Sequence, residues 1–420
     1  MSKLKQYFYI FFFSIVIAIL AFEIFLRYNH EYLYNFKQFL PDTPISKKMK
    51  NEIADLNKNK KFNYKIGNKV YTLYKTTFEK NSHKDDLKYG AVNYNYFNEG
   101  FCNKNPDKTK SKIIAVGDSF TYCLAIKPED AWVKKIFNLN ENESLNFGIG
   151  GYGTDDYYNI LKNKLTKNTN LVVFAFYEGN DFRDILRENE KKLDIIKNKN
   201  SNIKNQTEIK GKYKIIKKYL GNLYIFNLFW AQTKKFLLRN KQINFRYQVK
   251  FKNKFIKYNI GNSDIDEVTH AKLLILNENK SFYKNILQEG VYKNFTKASN
   301  LSKSYNVPIL FLYIPSAYSS FGYENTIFED NKIKDLIFEY SDILSNVFMN
   351  TCNENNLNCI NLKKNLIKFN SQSSIPSHFP HNLHLTPKGH AKIAEIIEKY
   401  ICKNFLNENP FLKKRCLMID

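Results

Sequence analysis

The chain has 420 residues, 43% of them hydrophobic and 16% aromatic, with only 15 Gly and 10 Pro. That is enough apolar material for a large core, and it excludes a wholly disordered chain, a collagen-like repeat and a Pro-rich scaffold. The net charge of +25 suggests an anionic partner, unless it follows from the chain-wide excess of Lys, Asn, Ile, Phe and Tyr. No zinc-finger spacing, basic zipper or aromatic RNA-binding signature accompanies it, so no nucleic-acid partner is expected.

In chain order, the first feature is an apolar segment. Tyr7 to Phe22 carries no charge; Glu23 interrupts, and Ile24-Phe25-Leu26 continues to Arg27. At 1.5 Å rise per residue a helix over 7–26 spans about 30 Å, one hydrocarbon thickness. Its end lacks the small-residue pattern of a cleavable signal, so a retained membrane anchor over 1–27 is expected. With a short N-terminus inside, the remainder would face the periplasm or cell exterior. There the six cysteines could pair, and Cys352 with Cys359 and Cys402 with Cys416 are the candidates by proximity; six buried thiols is the rival reading.

Residues 28–110 are polar and weakly periodic, and read as a stalk with an N-terminal elaboration. A different rhythm then begins. Short apolar runs at 112–117, 144–147, 171–177, 308–315 and 358–362 read as buried strands. Helical patterns fall at about 129–137, 155–164, 282–304, 332–351 and 387–403. Strands alternating with helices predict a three-layer αβα sandwich around a mainly parallel sheet over 111–403, followed by a tail at 404–420. The stretch from about 183 to 290 interrupts this rhythm. From Arg187 to Lys257 the net charge is +16, which predicts a basic helical insertion with a solvated face; contact with anionic lipid or acidic glycan is the functional alternative.

Parallel α/β sheets bind ligands beyond the carboxyl ends of their strands. Ser119 follows the first strand, the glycines Gly148, Gly150, Gly151 and Gly153 follow the second, and Asn180 follows the third. Near the C-terminus, His384 lies in His381-Asn382-Leu383-His384, just before a helix opened by Pro387. A Ser and a His brought together make a nucleophile and its base. A Ser N–H, a Gly N–H and an Asn amide make an oxyanion hole, in which loss of one donor commonly costs about 10²–10³ in rate.

This ordered set resembles the SGNH hydrolases, or GDSL-like esterases. Gly117-Asp118-Ser119-Phe120-Thr121 matches the nucleophile block, Asn146 to Thr154 the glycine block, Gly179-Asn180-Asp181 the third block and His384 the last. The resemblance covers about 111–182 and 306–403. It implies Ser119 and His384 as catalytic residues and Ser119, Gly151 and Asn180 as the oxyanion hole. Asp118 would tune the turn. Two positions depart from the pattern. Glu178 stands where the third block usually begins with Gly. Asn382 and His381 stand where an Asp usually orients the catalytic His, leaving the Asn382 side-chain oxygen, a backbone carbonyl or a remote carboxylate to do so. In a serine-protease triad an Asp-to-Asn change costs about 10⁴ in turnover.

The expected function is therefore a membrane-anchored serine esterase acting on an acyl ester of an envelope glycan or lipid. Acyl transfer to an envelope polysaccharide, or a catalytically silent glycan-binding protein on the same fold, are the alternatives. No cofactor and no metal are expected: His378, His381 and His390 read as loop polarity and helix packing.

Overall fold

In a computed structural model of the chain, residues 3–28, 43, 45, 83–92, 102–103, 108–140, 142–186, 220–240, 246–259, 270–272, 274–276, 280–405 and 409–418 are described. Most of the expected stalk and much of the basic insertion lie outside them. The chain divides into two units, one of residues 1–77 and 198–243, the other of 78–197 and 244–420.

In the first unit the apolar segment forms one helix, α1 (Lys3–Tyr28). Within it Tyr9–Tyr28 is long and apolar enough to cross a membrane. Glu23, which interrupts the apolar run, is buried. Its carboxylate accepts the Tyr224 and Ile225 N–H groups at 3.0 and 2.9 Å, at the start of the helix Tyr224–Asn240, and pairs with Arg27 at 3.0 Å. A carboxylate at a helix N-terminus satisfies donors that have no partner within the helix. Leu26, Ile45, Leu228 and Ala231 pack beside it.

The second unit holds the expected αβα sandwich. Five strands, β1 (Ile113–Gly117), β2 (Ser144–Gly148), β3 (Leu171–Tyr177), β6 (Ile309–Ile314) and β8 (Cys359–Asn361), form a sheet in the order β2-β1-β3-β6-β8. Every pairing is parallel. The period-2 alternation of each strand divides its side chains between two cores. Ile114, Val116, Phe174, Phe176, Phe311 and Tyr313 face one, covered by α3 (Thr154–Lys164), α4 (Lys280–Ser304) and α5 (Asn331–Glu354). Ile113, Ala115, Val173, Ala175, Leu310 and Leu312 face the other, covered by α7 (Pro387–Asn404) and the helix Pro410–Cys416. Both faces being covered is why the strands read as continuous apolar runs. Between β8 and α7 lies α6 (Lys363–Gln372), and α2 (Lys84–Leu87) precedes the sheet.

The insertion is not helical throughout. Arg246–Phe251 and Lys254–Asn259 form the hairpin β4–β5, joined by β7 (Thr326–Phe328) in a three-stranded antiparallel sheet. The reason is local: buried Tyr247, Val249 and Phe251 alternate with more exposed residues, which is strand periodicity. All six cysteines are paired, as Cys352–Cys359, Cys402–Cys416 and Cys102–Cys123. The first two are the pairs expected from proximity; the third ties residue 102, ahead of the sheet, to the turn after β1.

Candidate active site

The sheet order reverses direction between β1 and β3, and the crevice beyond the carboxyl ends of those strands is where open α/β sheets hold ligands. Ser119 sits there, in the turn that leaves β1. Gly148 ends β2 at close quarters with this turn: a Cβ on it would lie 2.5 Å from the Tyr122 nitrogen. Asp118 is buried, and its carboxylate accepts the Phe120 N–H at 2.8 Å while lying 3.5 Å from Ser119 Oγ. Burial pushes its pKa up to about 7. It caps the turn through the Phe120 N–H.

Ser119 Oγ lies 2.8 Å from His384 Nε2. The two residues are 265 positions apart in sequence, and the fold brings them into hydrogen-bond contact. On the other side of the ring, His384 Nδ1 faces two oxygens of one residue, the Asn382 side-chain Oδ1 at 2.6 Å and the Asn382 carbonyl at 2.9 Å. A backbone carbonyl only accepts, so Nδ1 carries the proton and Nε2 presents a lone pair to the serine hydroxyl. The bend that points both oxygens at the ring is supplied by Leu383, in the left-handed region at φ 64°, a conformation uncommon outside glycine. Phe120 stacks on the imidazole, with centroids 4.6 Å apart, and on Tyr177 at 3.8 Å. Burial holds the His384 pKa down at about 4, only partly opposed by the Asn382 hydrogen bond. The imidazole is therefore neutral at neutral pH and competent as a base.

Of the remaining predicted residues, Gly151 lies in the loop after β2 and Asn180 just after β3. A Cβ on Gly150 would lie 3.5 Å from the Ser119 Cβ, so the glycine loop runs against Ser119; Gly151 follows at φ +79°, exposed and with open space where a side chain would be. Asn180 Nδ2 donates to the Tyr152 carbonyl of that loop at 3.2 Å and to Asp181 Oδ1 at 3.1 Å. Asp181 is buried and also accepts from Tyr157 Oη at 2.6 Å and the Tyr177 N–H at 2.8 Å. Burial and the neighbouring Asp118 carboxylate raise its pKa well above the usual range. Glu178, the departure in the third block, has a structural partner set: its carboxylate accepts from the Ser316 N–H at 3.0 Å and from Ser319 Oγ at 2.6 Å, locking the end of β3 to the turn after β6.

Two contributors were not read from the sequence. Asp86, in α2, is buried and accepts the His381 N–H at 2.9 Å and the Asn382 N–H at 3.0 Å. A carboxylate thus holds the backbone on which the His384 orienter stands, although it does not touch the ring. Tyr258, in β5, donates its hydroxyl to the His378 carbonyl at 2.9 Å and supports the same loop from the hairpin. Nothing in the polar, weakly periodic stretch around residue 86 distinguishes that Asp by spacing. As for the other histidines, His390 Nδ1 accepts the Trp132 N–H at 3.1 Å and His378 Nδ1 bonds Ser377 Oγ at 2.8 Å, and both are buried. His381 lies against Asp85 and His83.

No family model and no curated protein matches the chain. Among solved structures it is similar to the acetyl xylan esterase AlAXEase, at 13% identity and TM-score 0.34, over 69% of this chain and 99% of that one. It is also similar to an extracellular lipase from Streptomyces rimosus, at 10% identity and TM-score 0.35, over 69% and 99% of the two chains. A phospholipase A1 from Streptomyces albidoflavus NA297 is similar at 11% identity and TM-score 0.37, again over 69% and 99%. At TM-scores below 0.5, the functional reading rests on the chain's own residues.

Proposed function

We propose that this chain is a serine esterase of SGNH type, held at a membrane by α1, which cleaves an acyl ester of an envelope glycan or lipid through an acyl-serine. The observation that carries the reading is the contact between Ser119 Oγ and a His384 ring whose tautomer is fixed by Asn382. His384 Nε2 takes the hydroxyl proton as Oγ attacks the ester carbonyl. The Ser119 and Gly151 N–H groups and the Asn180 amide hold the oxyanion; for this, Asn180 turns a donor from its present partners to the substrate. Collapse expels the alcohol, which receives the proton from His384. Water, activated by the same imidazole, then releases the acid. The length of the apolar helix supports the anchor. Three disulfides support an oxidising location, the periplasm or cell exterior, for the second unit.

Fluorophosphonate labelling tests the reading. Wild-type protein is expected to be labelled on Ser119, with labelling abolished in Ser119→Ala; an unlabelled wild type would favour the silent, glycan-binding alternative. Asp86 gives a second test, as a positioning residue. In Asp86→Asn one of two backbone donors loses its acceptor, at a cost of about 1–3 kcal/mol. kcat is expected to fall on the order of 10-fold with little change in KM. Retention of full kcat in a folded Asp86→Asn protein would show that the loop needs no anchoring carboxylate.

A further inference from the structure

We propose that His83, Asp85 and His381 form a binding site for one divalent transition cation of the zinc class, joining the start of α2 to the loop that carries His384. Asp85 Oδ2 lies 3.4 Å from His83 Nδ1 and 3.4 Å from His381 Nε2, and the three atoms all lie within 4.8 Å of one another. A tetrahedral zinc ion sits about 2.0–2.1 Å from nitrogen and 2.0–2.2 Å from carboxylate oxygen, which places its ligands about 3.3–3.5 Å apart. The two measured separations match that ligand spacing. They are long for charge-assisted hydrogen bonds, which fall at about 2.7–2.9 Å.

His83 Nδ1 is an acceptor, taking the Asp85 N–H at 3.3 Å, and a bound cation displaces this long bond. The same nitrogen faces Asp85 Oδ2 at 3.4 Å, a pairing that a cation between them makes attractive. The second carboxylate oxygen is already engaged: Lys88 Nζ donates to Asp85 Oδ1 at 2.8 Å, leaving Oδ2 as a single ligand atom. The two imidazoles stack with centroids 3.4 Å apart. The side chains are 43%, 38% and 24% exposed for His83, Asp85 and His381, so solvent reaches the cluster and water completes the coordination. The donor set, two imidazoles and one carboxylate, suits zinc and its neighbours better than calcium or magnesium. No thiol competes, because all six cysteines are in disulfides.

The site is separate from the catalytic pair, although His381 precedes the orienter Asn382 directly. The test is a titration of the whole, chelator-treated protein with Zn²⁺ against a chromophoric chelator, and with Co²⁺ for its visible absorption. One equivalent is expected to bind at micromolar Kd or tighter, with the intense cobalt bands of a four-coordinate site. His83→Gln and His381→Gln are each expected to weaken binding at least about 10-fold. Zn²⁺ is expected to raise the Tm of the wild type and not of His83→Gln, whose side chain is exposed. Wild-type protein that takes up no cation at this level would overturn the site. So would unchanged affinity in both variants, or binding that is lost only in His384→Gln, which would move the cation to the catalytic pair. None of these readouts requires turnover, so the proposal stands or falls apart from the esterase reading.

Discussion

His384→Ala is expected to lower kcat toward acyl esters by about 10⁴–10⁶-fold while leaving the fold intact. The magnitude follows from the way a nucleophile and its base act as one unit, so that loss of either costs nearly as much as loss of both. Here the coupling is direct, a 2.8 Å contact between Ser119 Oγ and Nε2. Without the ring the hydroxyl loses its 2.8 Å proton acceptor. The nearby carboxyl of Asp118, at 3.5 Å from Oγ, is engaged with the Phe120 N–H. Steady-state kinetics on a chromogenic short-chain ester checks this, with thermal unfolding as the control for folding. A residual rate within tenfold of wild type would remove His384 from the chemistry.

Asn382→Asp is expected to raise kcat, by roughly 10–100-fold, and to move the acid limb of the pH profile. The loss of about 10⁴ seen when a triad Asp becomes Asn includes a wrong-tautomer contribution. That contribution is absent here, because the Asn382 carbonyl at 2.9 Å already requires the proton on Nδ1. What a carboxylate adds is charge opposite the imidazolium, so the gain is smaller than the full triad effect. The sign of the pH shift follows from the same geometry. His384 must be neutral to act as base, and its pKa is held at about 4, below the ordinary 6.5, by burial. In the wild type kcat/KM is therefore expected to stay level from neutral pH down to about 5 and to fall with a midpoint near 4. A carboxylate 2.6 Å from Nδ1 favours the imidazolium, so the midpoint of Asn382→Asp moves upward, toward 6.5. A profile unchanged by the substitution would mean that Asn382 does not communicate with the ring.

The sheet was legible because each of its strands is buried on both faces and so reads as a run of apolar residues. The positions of Ser119, Asn180 and the Gly151 loop beyond strand ends were legible because they follow those runs. His384 was found from its local block, and the question left at Asn382 is answered by backbone geometry: Leu383 at φ 64° brings a carbonyl and an amide oxygen to one nitrogen. Such a bend leaves no mark in residue spacing. Asp86 was not legible, since its role depends on a contact with Asn382 across 296 positions of chain. The hairpin β4–β5 was hidden in a stretch where charge dominated the reading, although Tyr247, Val249 and Phe251 carry strand alternation.

The Asp86 contact also bears on where the unit around Ser119 and His384 begins. The sheet starts at Ile113, but the carboxylate that steadies the loop carrying His384 belongs to residue 86, and Cys102 is bonded to Cys123 just beyond Ser119. Asp86 and Cys102 thus belong to the same unit as Ser119 and His384. Removing the chain ahead of Ile113 would therefore take the acceptor from the His381 and Asn382 N–H groups and leave Cys123 without its disulfide partner.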